Sequence, residues 1–186
     1  MEQERIIAFL NSLTEGVDFL SFDFDEEFLA SIESNLDRFF PGAHMGITEG
    51  LLSLRGKGWD YEIKKTLAVL AKTDLHTVLL HLRQLADKPE SRPFYLQALA
   101  ELALHFDGLR KEDNERISSE YLSPLLEVIT TLSEDEWSWL IIDFGYFPSE
   151  SSLYGLYHIQ QSVSRTSTKI EEELADSIAR NLKFLN

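Results

Sequence analysis

Apolar residues recur at helical spacing along almost the whole chain, and this restricts its fold more than any other feature. Ile63, Leu67 and Leu70 are followed by Leu75, Val78, Leu79, Leu82 and Leu85, while convincing period-two alternation is scarce. The pattern predicts an all-α protein. Start signals agree: Asp23 with Glu26, Ser133 with Glu136 and Thr168 with Glu171 each match a capping box, in which the first side chain accepts a backbone N–H three residues on and the acid reaches back. Pro93 and Pro124 fit first helical turns, where a missing N–H has no partner to lose, and Pro41, Pro89 and Pro148 mark breaks.

These signals predict helices over 3–13, 24–39, 45–54, 60–71, 75–86, 93–106, 115–131, 134–145, 150–163 and 169–185. The one stretch with any extended character is 17–24. The expected fold is a single acidic domain over residues 1–186 with about nine or ten helices, arranged as an irregular helical bundle or as a short α-solenoid-like stack of helical hairpins. The polar stretches Gly56-Lys57-Gly58 and Gly108 to Asn114 read as loops. A hydrophobic fraction of 44% with 12 Phe, 6 Tyr and 3 Trp supplies a core, so disorder is not expected despite the charge.

That charge is large. The chain carries 32 acids against 17 bases, a formal net of −15 on 186 residues. It is also unevenly spread: residues 1–58 hold 11 acids and 4 bases, residues 112–186 hold 14 and 5, and the middle holds 7 and 8. Such a field attracts cationic partners and repels nucleic acid and anionic lipid. Direct nucleic-acid binding is therefore not expected. No segment reads as a membrane span: the most apolar stretch, 137–147, is interrupted by Asp143 and Gly145 and is about half the required length. The acidic N-terminus lacks the basic start of a signal peptide, and no cysteine is present, so a cytoplasmic location is expected.

Catalytic motifs are missing. The five histidines, His44, His76, His81, His105 and His158, include no pair three or four apart that would share a helix face for a metal. Acidic runs at Asp23–Glu27, Glu134–Glu136 and Glu171–Glu173, and the pair Asp60 and Glu62, sit where helices start, which the helix dipole favours without any cation. Gly56-Lys57-Gly58 is too short for a phosphate loop, and no serine lies in a nucleophile elbow. No catalytic, cofactor or metal residue is assigned, and an enzyme is not the leading expectation.

One cluster remains. Seven aromatics fall between Trp137 and Tyr157, and Trp137 and Trp139, two apart, face about 200° from each other on a helix, so at least one should lie near the surface. With the acids Asp143 and Glu150 they make a mixture of anchors and charged rim suited to binding. The predicted partner-binding residues are Trp137, Trp139, Asp143, Tyr146, Glu150, Tyr154 and Tyr157. The expected function is an acidic protein-binding module that binds and neutralises a basic protein partner, as an immunity protein or inhibitor neutralises a nucleic-acid-acting toxin. The alternatives are a carboxylate-based hydrolase or metal-binding enzyme, centred on Asp23 and Glu26, and a helical adaptor or regulatory subunit.

Overall fold

The computed structural model describes residues 8, 30, 44–58, 60–105, 109–162 and 167–186. Apart from residues 8 and 30, which are helical, the helices predicted over 3–13 and 24–39 lie outside the described residues, as do the Asp23–Glu26 capping box and the extended stretch 17–24. Contacts divide the chain into two compact units, Met1–Gln84 and Leu85–Asn186. No strand occurs among the described residues, and none of their helices is long and apolar enough to cross a membrane.

In the first unit, α1 (His44–Ser53) buries Ile47 and Leu51, and α2 (Asp60–Ala86) begins after a turn in which Gly56 and Gly58 adopt φ of 76° and 94°. Those left-handed angles suit glycine, and the Gly56 N–H donates to Asp60 Oδ1 (2.8 Å) at the start of α2. The separate helices expected over 60–71 and 75–86 are joined in α2, but the backbone leaves helical geometry at Asp74 (φ −144°, ψ 77°). There the Asp74 carboxylate accepts the Thr77 N–H (3.0 Å), restarting the second half in the manner of an N-cap. Buried His81 sets Nδ1 2.8 Å from Thr77 O and Nε2 3.4 Å from Glu49 on α1.

The second unit contains α3 (Arg92–His105), α4 (Lys111–Arg116), a π-helical turn (Ile117–Leu122), a 3-10 segment (Ser123–Thr131), α5 (Glu134–Tyr146), α6 (Glu150–Ser162) and α7 (Thr168–Leu185). The described residues hold seven α-helices against eight predicted over the same stretches, because 60–71 and 75–86 are joined in α2; the expected total of nine or ten included two helices that lie outside the described residues. Two readings fail here for physical reasons. Lys111–Arg116 is helix rather than loop, because Glu112 and Asp113 occupy its first turn and Asp113 pairs with Arg110 (3.1 Å) and Arg116 (4.0 Å). The regular helix expected over 115–131 instead widens and then tightens. Pro124 offers no N–H to the carbonyl four residues back, and the Ser123 N–H bonds Ser118 O, five residues back, where the π turn meets the 3-10 segment.

α5 is the hub, packing against both α3 and α7. Its N-terminus carries the predicted capping box: Ser133 accepts the Glu136 N–H, and the Glu136 carboxylate accepts the Ser133 N–H (2.8 Å). The same carboxylate receives Arg92 Nη1 from α3 (3.3 Å) in an ion pair only 7% and 10% exposed, while Arg92 Nε donates to Ala86 O (3.1 Å). The box expected from Thr168 and Glu171 does not form. Thr168 is already helical, the N-cap is Ser167, and the Ser167 hydroxyl donates to Glu134 on α5 instead.

α7 shows Ile170, Leu174, Ser177 and Asn181 inward on one stripe. Ser138 donates to Glu173 (2.7 Å) near the starts of α5 and α7, and Asn181 reaches the end of α5, so the two helices run in the same direction. Close approach needs Gly145, since a Cβ there would lie 2.5 Å from Ser177 Oγ. A Cβ at Gly155 on α6 would likewise meet the buried Phe144 ring at 2.5 Å.

The α5–α6 corner is a buried polar junction. Pro148 cannot donate to Phe144 O four residues earlier, and Asn181 Nδ2 does so in its place (2.9 Å), while Asn181 Oδ1 accepts the Ser149 N–H (2.9 Å). Ser118 and Ser152 both donate to Phe147 O (3.0 and 2.6 Å), and Ser149 Oγ caps α6 by accepting the Ser152 N–H (3.0 Å). The backbone groups that Pro148 and the start of α6 would leave without helical partners, Phe144 O and the Ser149 N–H, are thus both bonded.

Candidate functional site

The corner fixes the start of α6 beside α4, and between them opens a cleft of about 700 Å³ lined by Lys111, Glu112, Glu115, Arg116, Ser119, Glu120 and Glu150. Four carboxylates face two cations there. Glu115 is held in place: it accepts from both the N–H (3.3 Å) and the hydroxyl of Ser151, the second residue of α6. Glu112, Glu120 and Glu150 form no ion pair within 4.0 Å among the described residues, and with four acids to two bases the cleft carries a net excess of negative charge.

Glu150 continues this surface onto α6. Residues 150, 154 and 157 are four and three apart and share one helix face. Tyr154 on that face is 68% exposed and Tyr157 is 41% exposed. Gly155, Leu156 and Ile159 pack inward on the opposite side, so α6 has a core face and an aromatic face turned to water. Tyr154 stacks on His158, with ring centroids 6.3 Å apart and planes inclined by 28°.

The remaining predicted binding residues fall into other environments. Trp137 and Trp139 are both half-buried, and Trp137 Nε1 donates to Ile129 O (2.9 Å), which ties it to the 3-10 segment. Tyr146 is half-buried with the Arg180 guanidinium 5.1 Å from its ring centroid. Asp143 requires a correction. It was expected on the charged rim, but it is fully buried in α5, and neither carboxyl oxygen has a hydrogen-bond partner. Desolvation pushes this carboxyl well above the usual Asp range, which favours its neutral form. It cannot meet a partner in solution.

Thus Glu150, Tyr154 and Tyr157 share one accessible helix face, while Trp137, Trp139 and Tyr146 are half-buried and Asp143 is buried. The acids of α4 were missed by sequence reasoning. Glu112 lies in the stretch read as a loop and Glu115 at the start of the helix predicted over 115–131, some 35 residues before α6, and no local pattern links the two.

No three histidine or acidic side chains converge on a position able to hold a metal ion, among the described residues. Asp60 and Glu62 occupy the first turn of α2, where Asp60 caps Gly56. His105 lies 3.0 Å from Glu101 one turn back on its own helix, as a half-buried pair. In comparisons with known proteins, no family model, no curated protein and no solved structure matches this chain.

Proposed function

We propose that this chain is an acidic protein-binding module that engages and neutralises a basic protein, using the α6 face of Glu150, Tyr154 and Tyr157 and the adjoining α4 cleft. The observation that carries the reading is the pair of exposed tyrosines on the helix face of Glu150, which lines a cleft with four acids to two bases. Tyrosine supplies large, stiff contact area at low entropic cost, and surrounding charge steers an oppositely charged partner to it. The net charge of −15 favours a basic partner over nucleic acid or an anionic membrane. Nucleic-acid-acting toxins are one class of protein with the required surface.

The acid-lined cleft also bears on the hydrolase reading. Two-carboxylate catalysis needs one acid held neutral beside one held ionised. The carboxyl that burial does push up, Asp143, does not line the cleft, and Glu115 is occupied by Ser151. The binding reading is therefore preferred.

Affinity purification from the native host tests it, with wild-type and Tyr154→Ala/Tyr157→Ala baits compared by quantitative mass spectrometry. The reading predicts enriched proteins of high isoelectric point that the double variant loses. Enrichment of acidic proteins, or of a set unaffected by the substitutions, contradicts it.

A further inference from the structure

Tyrosine rings elsewhere in this chain already carry cations. Arg180 lies 5.1 Å from the Tyr146 ring centroid, and Lys65 Nζ lies 4.7 Å from that of Tyr61. Tyr154 is more exposed than Tyr61, and the ring contact it makes is with His158; no lysine or arginine lies over it among the described residues. Glu150, one helical turn earlier on the same face, is exposed and without an ion pair among the described residues. The residues bearing an exposed aromatic ring and an unpaired carboxylate are thus about 6 Å apart along the axis of α6, four residues at about 1.5 Å each.

That spacing discriminates between cations. A guanidinium is planar, so it can lie on a ring and still turn an N–H edge toward a carboxylate one turn away. An ammonium is a compact, strongly hydrated point charge that satisfies one of the two at a time. We infer that the Glu150–Tyr154–Tyr157 face of α6 docks an arginine-bearing segment of a basic protein, with a guanidinium stacked on Tyr154 and bonded to Glu150, and with Tyr157 covering the neighbouring apolar stem. The inference rests on the binding-module reading and adds the side chain that is recognised. A second copy of this chain is a poor occupant, because both copies carry −15.

Two blocked alanine-based peptides, one bearing an arginine per helical turn and the other lysine at the same positions, are titrated into isotope-labelled protein at low salt and followed by NMR. The arginine peptide should bind about three- to five-fold more tightly, with amide shifts centred on 150–158. Tyr154→Leu should bring the ratio close to one, Tyr154→Phe should preserve it, and Glu150→Gln should weaken the arginine peptide most. Equal affinities at this face overturn arginine recognition but leave the basic-partner reading intact. Shifts centred elsewhere, or Tyr154-dependent self-association of the free protein, overturn the face itself.

Discussion

Replacing Asn181 by alanine should cost the second unit more than almost any other single polar substitution. Asn181 is fully buried, and its amide makes three hydrogen bonds: to Phe144 O (2.9 Å), to Ser177 O (3.0 Å) and from Ser149 N (2.9 Å). Two of these have no substitute. Phe144 O would depend on Pro148 for its helical partner, and proline has no N–H; Ser149 N–H begins α6 and, like other first-turn donors, has no carbonyl within the helix. Each buried orphan costs about 1–3 kcal/mol, so the loss should be about 3–5 kcal/mol, a large share of a typical stability of about 5–15 kcal/mol. Urea denaturation followed by circular dichroism at 222 nm reads it as a lower midpoint at unchanged slope. Asn181→Asp keeps an acceptor for Ser149 but turns an oxygen toward Phe144 O, and it should be at least as damaging near neutral pH. A loss below about 1 kcal/mol for Asn181→Ala would refute the claim that this side chain replaces the donor missing at Pro148.

Glu136→Gln should destabilise by about 3–5 kcal/mol by stranding buried Arg92, whereas replacing both residues by apolar ones of similar volume should cost much less, as a double-mutant denaturation cycle would measure. Gly155→Ala should cost about 1–3 kcal/mol in the same assay, because the new Cβ meets a Phe144 ring that is itself fully buried. Asp143→Asn should change how stability depends on pH. The folded state raises this carboxyl's pKa, so its contribution is fully present below the ordinary Asp value of about 4 and falls as pH rises toward the folded value. Denaturation curves from pH 4 to 8 should show the variant gaining on wild type as pH rises, and parallel curves would mean that Asp143 is not buried as described.

Legibility in the sequence follows whether the information was local. The Ser133–Glu136 capping box depends on residues within one turn and forms as the spacing predicts, and the helix expected over 169–185 is present as α7. The burial of Asp143 was also readable. It is three residues after Leu140 and four before Phe147, both fully buried, and so lies on the apolar stripe, but its charge argued for solvent. Thr168 lost its capping role because Ser167, one residue earlier, could bond Glu134, a choice made by tertiary packing. The α4 side of the cleft was hidden for the same reason: Glu115 meets Ser151 across 36 residues, and only the folded corner brings them together. Tyr154 and Tyr157 were identified as candidate anchors from aromatic density, yet their exposure, unlike that of Trp137 and Trp139, is decided by which face of α6 covers Phe144.

Association kinetics with the partner recovered from the host, measured across a salt series, test the binding account most directly. The account predicts an association rate that falls steeply as salt shortens the Debye length from about 10 Å at 0.1 M to about 3 Å at 1 M, with the dissociation rate changing much less. Glu150→Gln should act mainly on association, and Tyr154→Ala, in protein shown to be folded, should speed dissociation, with a loss of about 2 kcal/mol or more in affinity if the ring is an anchor. An association rate indifferent to salt, or binding unchanged when Tyr154 and Tyr157 are both truncated, would contradict it.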